Sequence, residues 1–416
     1  MNPSGSRIIG FVAVLRNPNY AIYTAGNSVS LIGTWVQRIA IGWLTWELTG
    51  SGVWLGLIAL ADLFPATLLG PFAGAIADRT NRLKLTFFCQ LAAGFFTILL
   101  FLLSVTGYID IYSLFLLTLA SGVMMAIHQP ARLALVSALV PREQLPAAVA
   151  MNSVVFNVAR FIGPAIAGVT IALSGVSLAF LINALTFVVF LIALKRTKVD
   201  HDEHKPNASA TLIRDLMAGY RYAISHPGLS VLLLLMFFTS IAGRPVVELL
   251  PGFADAVFAA GAPGLAILTS ALGAGSIVAG VWLGGGTYPR GLPRAAIYSA
   301  SLLVCAIFLF VATKNLWVAV PAMTVAGFAM TGTSVASQTM IHLAVDPSMR
   351  GRVLSMYGMI FRGGPAIGAL IMGAASDFVG LRLPLAAGAL VLLLIVAWTF
   401  LQLEKINRSL SLDARH

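Results

Sequence analysis

The chain has 416 residues, of which 59% are hydrophobic and only 10% charged, with a mean hydropathy of +0.92. Those values exclude a soluble globular domain, in which roughly a quarter of the residues are charged. A net charge of +11 raises nucleic acid as a partner, but the basic residues stand between apolar stretches and not on a polar domain, which excludes that reading.

The opening run IIGFVAVL at 8–15 is too short to span a bilayer and lacks a small-residue cleavage site, so it reads as an interfacial lead-in. Beyond it, apolar stretches long enough to cross about 30 Å of hydrocarbon recur to the end of the chain. Twelve spans are expected, centred on 19–47, 53–77, 85–107, 111–136, 147–173, 176–194, 228–250, 264–286, 295–313, 316–343, 353–376 and 383–403. With the N-terminus inside, nineteen Lys and Arg residues fall on the cytoplasmic side and two on the other, so both termini are expected in the cytoplasm. Cys89 and Cys305 fall inside spans three and nine, suggesting neither a disulfide nor a metal site.

Spans one and two form a hairpin with its tip near Gly50, and Arg38 and Asp62 each stand twelve residues from that tip. A lone intramembrane charge is costly, so Asp62 is expected to face the interior with Arg38 as a candidate partner. A permanent ion pair and a proton-coupling carboxylate are both open to it. The loop after span two reads GAIADRTNRLK at 74–84. Asp78, at the end of its span, would be stabilised by the positive end of a neighbouring helix, while Arg79 and Arg82 supply competing cation contacts. The result is a breakable latch on the cytoplasmic side.

Polar residues then recur at helical spacing: Asn27, Thr34 and Arg38 in span one, Thr118, Ser121, His128 and Arg132 in span four. Ser153, Asn157 and Arg160 follow in span five, and Thr331, Ser334, Gln338 and His342 in span ten. RFIGPAIAG at 160–168 places Gly163, Pro164 and Gly168 in span five, where the glycines allow close helix approach and the proline removes a backbone bond, a seam suited to bending. The polar interval 195–227 is a linker with a surface helix over 211–224, whose Leu212, Leu216, Tyr220 and Ala223 share one face. The Asn-Ala-Ser at 207 is a chance glycosylation match. In span seven Glu248 follows Arg244 by four residues, a second carboxylate for proton coupling, and Arg362 adds a buried cation in span eleven.

An internal repeat appears at an offset of 209 residues, Pro18 answering Pro227 and Gln129 answering Gln338. The tetrapeptide GPAI recurs at 163–166 and 364–367, an offset of 201. The chain therefore divides into a bundle over 1–194, the linker over 195–227, a second bundle over 228–403 and a tail over 404–416.

The 74–84 segment resembles the loop 2–3 signature of the major facilitator superfamily, with Gly74, Asp78, Arg79 and Arg82 matching and Asn81 standing where the signature has a second glycine, which implies a left-handed turn at Asn81. The 160–168 segment is similar to the Gly-Pro motif of that superfamily's antiporters. LRNPNY, TWVQRIAIGWLTWELTGSG, QPARLALVSALVP and RGRVLSM resemble its bacterial enterobactin and macrolide exporter branch. The resemblance implies an all-α membrane protein of twelve transmembrane helices in two pseudo-symmetric six-helix bundles. It implies a central substrate cavity, here lined by Asn27, Thr34, Arg38, Asp62, His128, Asn157, Arg160, Arg244, Gln338 and Arg362. No nucleophile–base constellation, metal cluster or phosphate-cradling loop occurs, so the chain is expected to be no enzyme, to hold no cofactor and to draw on a gradient. The expected function is proton-coupled efflux of a small amphipathic or anionic organic molecule, such as a drug or siderophore, across a bacterial inner membrane. A proton-coupled uptake symporter and a lipid or lysophospholipid flippase are the alternatives. Expected partners are that substrate, protons and membrane lipids, with no nucleic acid, and the chain is expected to act as a monomer.

Overall fold

The computed structural model describes residues 14–199, 212–284 and 291–413. Most of the N-terminal lead-in and the Asn-Ala-Ser at 207 lie outside them. The elements are helices throughout: α1 (Pro18–Thr49), α2 (Gly52–Arg79), α3 (Arg82–Thr106), α4 (Ile111–Leu139), α5 (Leu145–Arg196), α6 (Leu212–Ser225) and α7 (Pro227–Phe238). They continue as α8 (Val246–Gly252), α9 (Gly261–Gly284), α10 (Leu292–Ala312), α11 (Leu316–Ala344), α12 (Pro347–Val379), α13 (Arg382–Leu401) and α14 (Leu403–Asp413). A helix satisfies its own backbone inside lipid, which is why long apolar segments take this form.

Ten stretches among the described residues are long and apolar enough to cross a membrane. The expected twelve is not reached on that criterion. Residues 142–196 count once although Gly175 (φ 74, ψ −176) breaks α5 into two helices there, and α1 is diluted by polar residues such as Asn27, Gln37 and Arg38. The break falls in the expected gap between spans five and six. Pro164, where bending was expected, lies inside a continuous helical stretch, and the only non-helical backbone within α5 is at Gly175.

Local signals explain the ends. Asn81 N-caps α3, its side chain accepting from the Lys84 N–H at 3.0 Å, and its φ of −65° and ψ of 114° are extended, not left-handed as expected. With two residues between α2 and α3, a capping geometry serves better than a left-handed turn, because it satisfies a free N–H of the next helix. Gly107 closes α3 with φ 75°, and Asp110 with Ser113 forms a capping box at the start of α4.

The helices are inside out relative to those of a water-soluble protein. On α3, Phe88, Leu91, Phe95, Ile98, Leu102 and Val105 recur every three or four residues and are all exposed, while Thr86, Gln90, Gly94 and Thr97 are buried. Such a face suits acyl chains, with small and polar residues gluing helices together.

The chain forms two compact units, one from the described residues of 1–44 and 68–208, the other from 45–67 and those of 209–416. In the first, a buried polar knot ties three helices: Gln37 Oε1 on α1 accepts from Thr97 Oγ1 on α3 at 2.9 Å and from Asn183 Nδ2 on α5 at 2.6 Å. A Cβ on Gly163 would strike Trp35, so α5 packs directly on α1. In the second, Gly364 and Gly368 of α12 press in the same way on Ser240 and Ile241. Each GPAI region thus seats on the first span of its own repeat, at residues 32–35 and at 240–241.

The chain from Pro227 to Val257 is not a uniform helix. Two π-helical turns, Thr239–Gly243 and Phe253–Val257, flank α8. The linker helix α6 departs from its expected face. Ala223 is buried but Tyr220 is 55% exposed, and the side chains of Leu212 and Leu216 lie outside the described residues. Gly219 lets Arg352 of α12 approach closely, and the Tyr222 hydroxyl accepts from the Asp346 N–H at 3.4 Å, so this side of α6 braces the start of α12.

Candidate functional site

In the first unit, two cations stand over the Trp35 ring of α1. The guanidinium carbons of Arg38 and Arg160 are 5.6 Å and 5.8 Å from its centroid, and Phe156 meets it edge-on at 6.0 Å. All four side chains are partly exposed, within reach of a solute. The α5 helix presents Arg160 here because Gly163, one turn on, removes the side chain that would hold the two helices apart. Thr34 donates back to the Ser30 carbonyl and Asn157 to that of Ser153, while Asn27, 4% exposed, is sealed within the packing.

In the second unit, Arg244 lies over the Phe361 ring of α12 at 3.9 Å and donates to Ser334 Oγ of α11 at 3.4 Å. Tyr357 stacks on Phe361 at 5.8 Å and its hydroxyl donates to the Ser334 carbonyl at 3.2 Å. Arg244 stands where the first π-helical turn ends, which turns its guanidinium toward α11 and α12.

The two clusters are the same pair of positions. Trp35 and Arg244 are separated by 209 residues, the offset of the α1 repeat, and Arg160 and Phe361 by 201, that of the GPAI repeat. One unit has the aromatic ring on the first helix and the cation on the second, and the other has the reverse. Both place a guanidinium on an aromatic face, an arrangement that holds the cation by cation–π attraction.

The remaining expected residues are placed as follows in the two units. Asp62 on α2 and Glu248 on α8 are half-buried and both make contacts, as does Arg362. Gln338 is exposed, whereas His128 is 3% exposed with Nε2 3.2 Å from Gln90 Nε2. Of the loop 2–3 residues, Gly74 is helical, Arg79 is exposed and Arg82 opens α3, and the Asp78 side chain lies outside the described residues.

A second feature lies in the second unit, at the ends remote from the basic loops. Asp377, near the C-terminus of α12, accepts from the Gly52 N–H at 2.7 Å and from Ser51 Oγ at 2.6 Å, capping α2 from another helix. Trp46 Nε1 donates to Asp255 Oδ2 at 2.9 Å, again across an interval of 209 residues. A cavity of about 710 Å³ lies beside these bonds, lined by Trp46, Ser51, Ser376, Asp377 and Arg382 among others.

A family model described as transmembrane secretion effector, of the major facilitator superfamily, matches residues 9–414. The chain belongs to that family. Among other secretion effectors and transporters, it is 23% identical over 373 residues to macrolide efflux protein A of Streptococcus pyogenes, covering 87% of this chain and 90% of the relative. It is 26% identical over 364 residues to the staphyloferrin A transporter of Staphylococcus aureus, covering 84% and 87%. A bacterial homologue of the human lysosomal transporter Spinster, in an inward-facing and occupied conformation, shares the fold with a TM-score of 0.74 at 16% identity, covering 95% of this chain and 98% of that one. The protein is a multi-pass membrane transporter of the major facilitator fold and not an enzyme.

The sequence reading missed Trp35, Phe361, Tyr357 and Asp377. Trp35 stands one turn from Arg38, and Phe361 beside Arg362, so ranking charges alone passed over the rings that hold them. Applying the repeat offset to Arg160 and Arg244 would have found both rings.

Proposed function

We propose that this secretion-effector protein is a proton-coupled exporter of a small amphipathic or anionic organic molecule, of the drug or siderophore kind, working by alternating access in a bacterial inner membrane with both termini in the cytoplasm. The observation that carries the reading is the matched guanidinium–aromatic pair in each unit, Arg160 with Trp35 and Arg244 with Phe361. Such a pair joins a flat apolar face to a positive charge, which suits an organic anion with an unsaturated or ring-bearing body. The similarity to proteins named for macrolide efflux and staphyloferrin A transport supports both the direction and the class of cargo.

In this reading Asp62 takes and releases the proton, with Glu248 as the second carboxylate, and Asp78, Arg79 and Arg82 latch the cytoplasmic ends. The Asp377 bonds to Ser51 and Gly52 close the opposite ends. The deciding experiment loads inverted vesicles with a proton-sensitive dye and adds a panel of organic anions and macrolides. Substrate-triggered proton release by the native chain, absent in Asp62→Asn, is expected. Full-rate coupled transport by Asp62→Asn removes that residue from the mechanism, and proton movement in the other sense makes the protein an importer.

A further inference from the structure

The inner part of α4 carries a cation that the transport reading leaves unused. Arg132 is 8% exposed, its Nε has no hydrogen-bond partner, and among the described residues no carboxylate is bonded to it. His128 lies one turn earlier on the same face, 3% exposed, with Nε2 against Gln90 of α3. Tyr23 of α1 is 1% exposed, within electrostatic reach of Arg132, and its hydroxyl is also unpartnered. Thr86, one turn before Gln90, is fully buried with an unpartnered hydroxyl.

Unpartnered donors outnumber acceptors among these groups, where Gln90 Oε1 is the one buried acceptor lacking a partner beside the Tyr23 and Thr86 hydroxyls, His128 Nδ1 and Arg132 Nε. With the Gln90 amide nitrogen toward His128 Nε2, the ring accepts there, so its proton sits on Nδ1, which is buried and unpartnered. Turning the amide over moves the unused donor to Gln90 without removing it. In either arrangement unpartnered donors remain on α1, α3 and α4, with Tyr23 and His128 within electrostatic reach of the Arg132 charge, and a buried charge without a counter-charge is strongly disfavoured. A water molecule supplies an acceptor but no charge. The surroundings also limit size: Leu135, Val136 and Leu139 on α4 and Phe190, edge-on to Tyr23 at 5.8 Å, belong to the same tightly buried core.

We propose that Arg132, His128, Gln90 and Tyr23 bind one small monovalent anion of halide size, which neutralises the guanidinium and ties α1, α3 and α4 together inside the first unit. The site is separate from the transported molecule. Its signature is saturable anion dependence of the resting protein's stability.

The test uses the full-length protein in detergent, with chloride exchanged for gluconate at constant ionic strength and the thermal midpoint followed. A saturable rise with chloride and with bromide is expected for the native chain, no such rise for Arg132→Gln, and a roughly tenfold weaker half-saturation for Tyr23→Phe, which removes one donor to a charged acceptor. Should Arg132→Gln not fold, Tyr23→Phe and the anomalous signal of bromide in crystals of the native protein decide the matter. A bromide peak against Arg132 supports the site. Halide-independent stability, or a water or the Asp78 carboxylate at that position in place of bromide, overturns it.

Discussion

At the scale of single residues, the exchange between Trp35–Arg160 and Arg244–Phe361 makes the sharpest prediction. Arg244→Gln and Phe361→Leu, made singly and together, should show a coupling of about 0.5–2 kcal/mol in substrate affinity, the range for a cation over a ring. Additive losses would mean the two side chains act independently. Asn81→Ala should lower thermal stability by about 1 kcal/mol, because the Lys84 N–H loses its acceptor. Residue chemistry was only partly legible in the sequence. Arg38, Arg160 and Arg244 declared themselves because charge inside an apolar span needs a reason, whereas an aromatic residue in a span needs none, and Trp35 and Phe361 passed unnoticed. Asn81 showed the opposite error, since its tolerance of left-handed backbone was visible in the sequence and its competing talent as an N-cap decided the outcome.

At the scale of elements, α5 turns back on a single glycine. Gly175 has φ 74° and ψ −176°, a region almost confined to glycine, so Gly175→Ala should destabilise the protein by about 1–3 kcal/mol in a thermal melt although a Cβ there meets no neighbouring atom. The start of α4 adds a pH dependence. The Asp110 carboxyl is held below the usual carboxylate range, first by the Ser113 hydroxyl and then by the Ser113 N–H. A lowered carboxyl contributes above its unfolded value and is lost as pH falls through the lowered one, so Asp110→Asn should flatten the acid limb of the stability profile. The carboxylate cap at the far end of α2 is tested by Asp377→Ala, which removes both bonds at once. Alkylation of a cysteine placed at the buried Ser376 should then rise roughly tenfold or more, the scale of losing a charged acceptor. An unchanged rate would show that the glycine contacts alone keep these ends closed. Helix boundaries were legible to within a few residues because apolar length fixes them, while the π-helical turns around α8 left no signal in composition.

At the scale of the whole molecule, membrane residence and the repeat were both readable, the first from hydropathy and the second from two offsets. The repeat proved more informative than its sparse identities promised, because Arg160 over Trp35 and Arg244 over Phe361 repeat a contact and not merely a tetrapeptide. The two compact units cut α1 after Leu44, a division invisible in the sequence, since it follows contacts made by α2 with distant helices. The basic loops predict that reporter tags fused to either end will lie on the same, cytoplasmic side, and tags found on opposite faces would refute the topology. One contact within the second unit bears on movement. At Gly373 of α12 against Gly52 and at Gly56 of α2 against Leu370, main chain rests on main chain. A joint of that kind has no teeth, so it can be lubricated in translation yet firm against separation, and one methyl group lodged in it would act as a brake on the entire machine.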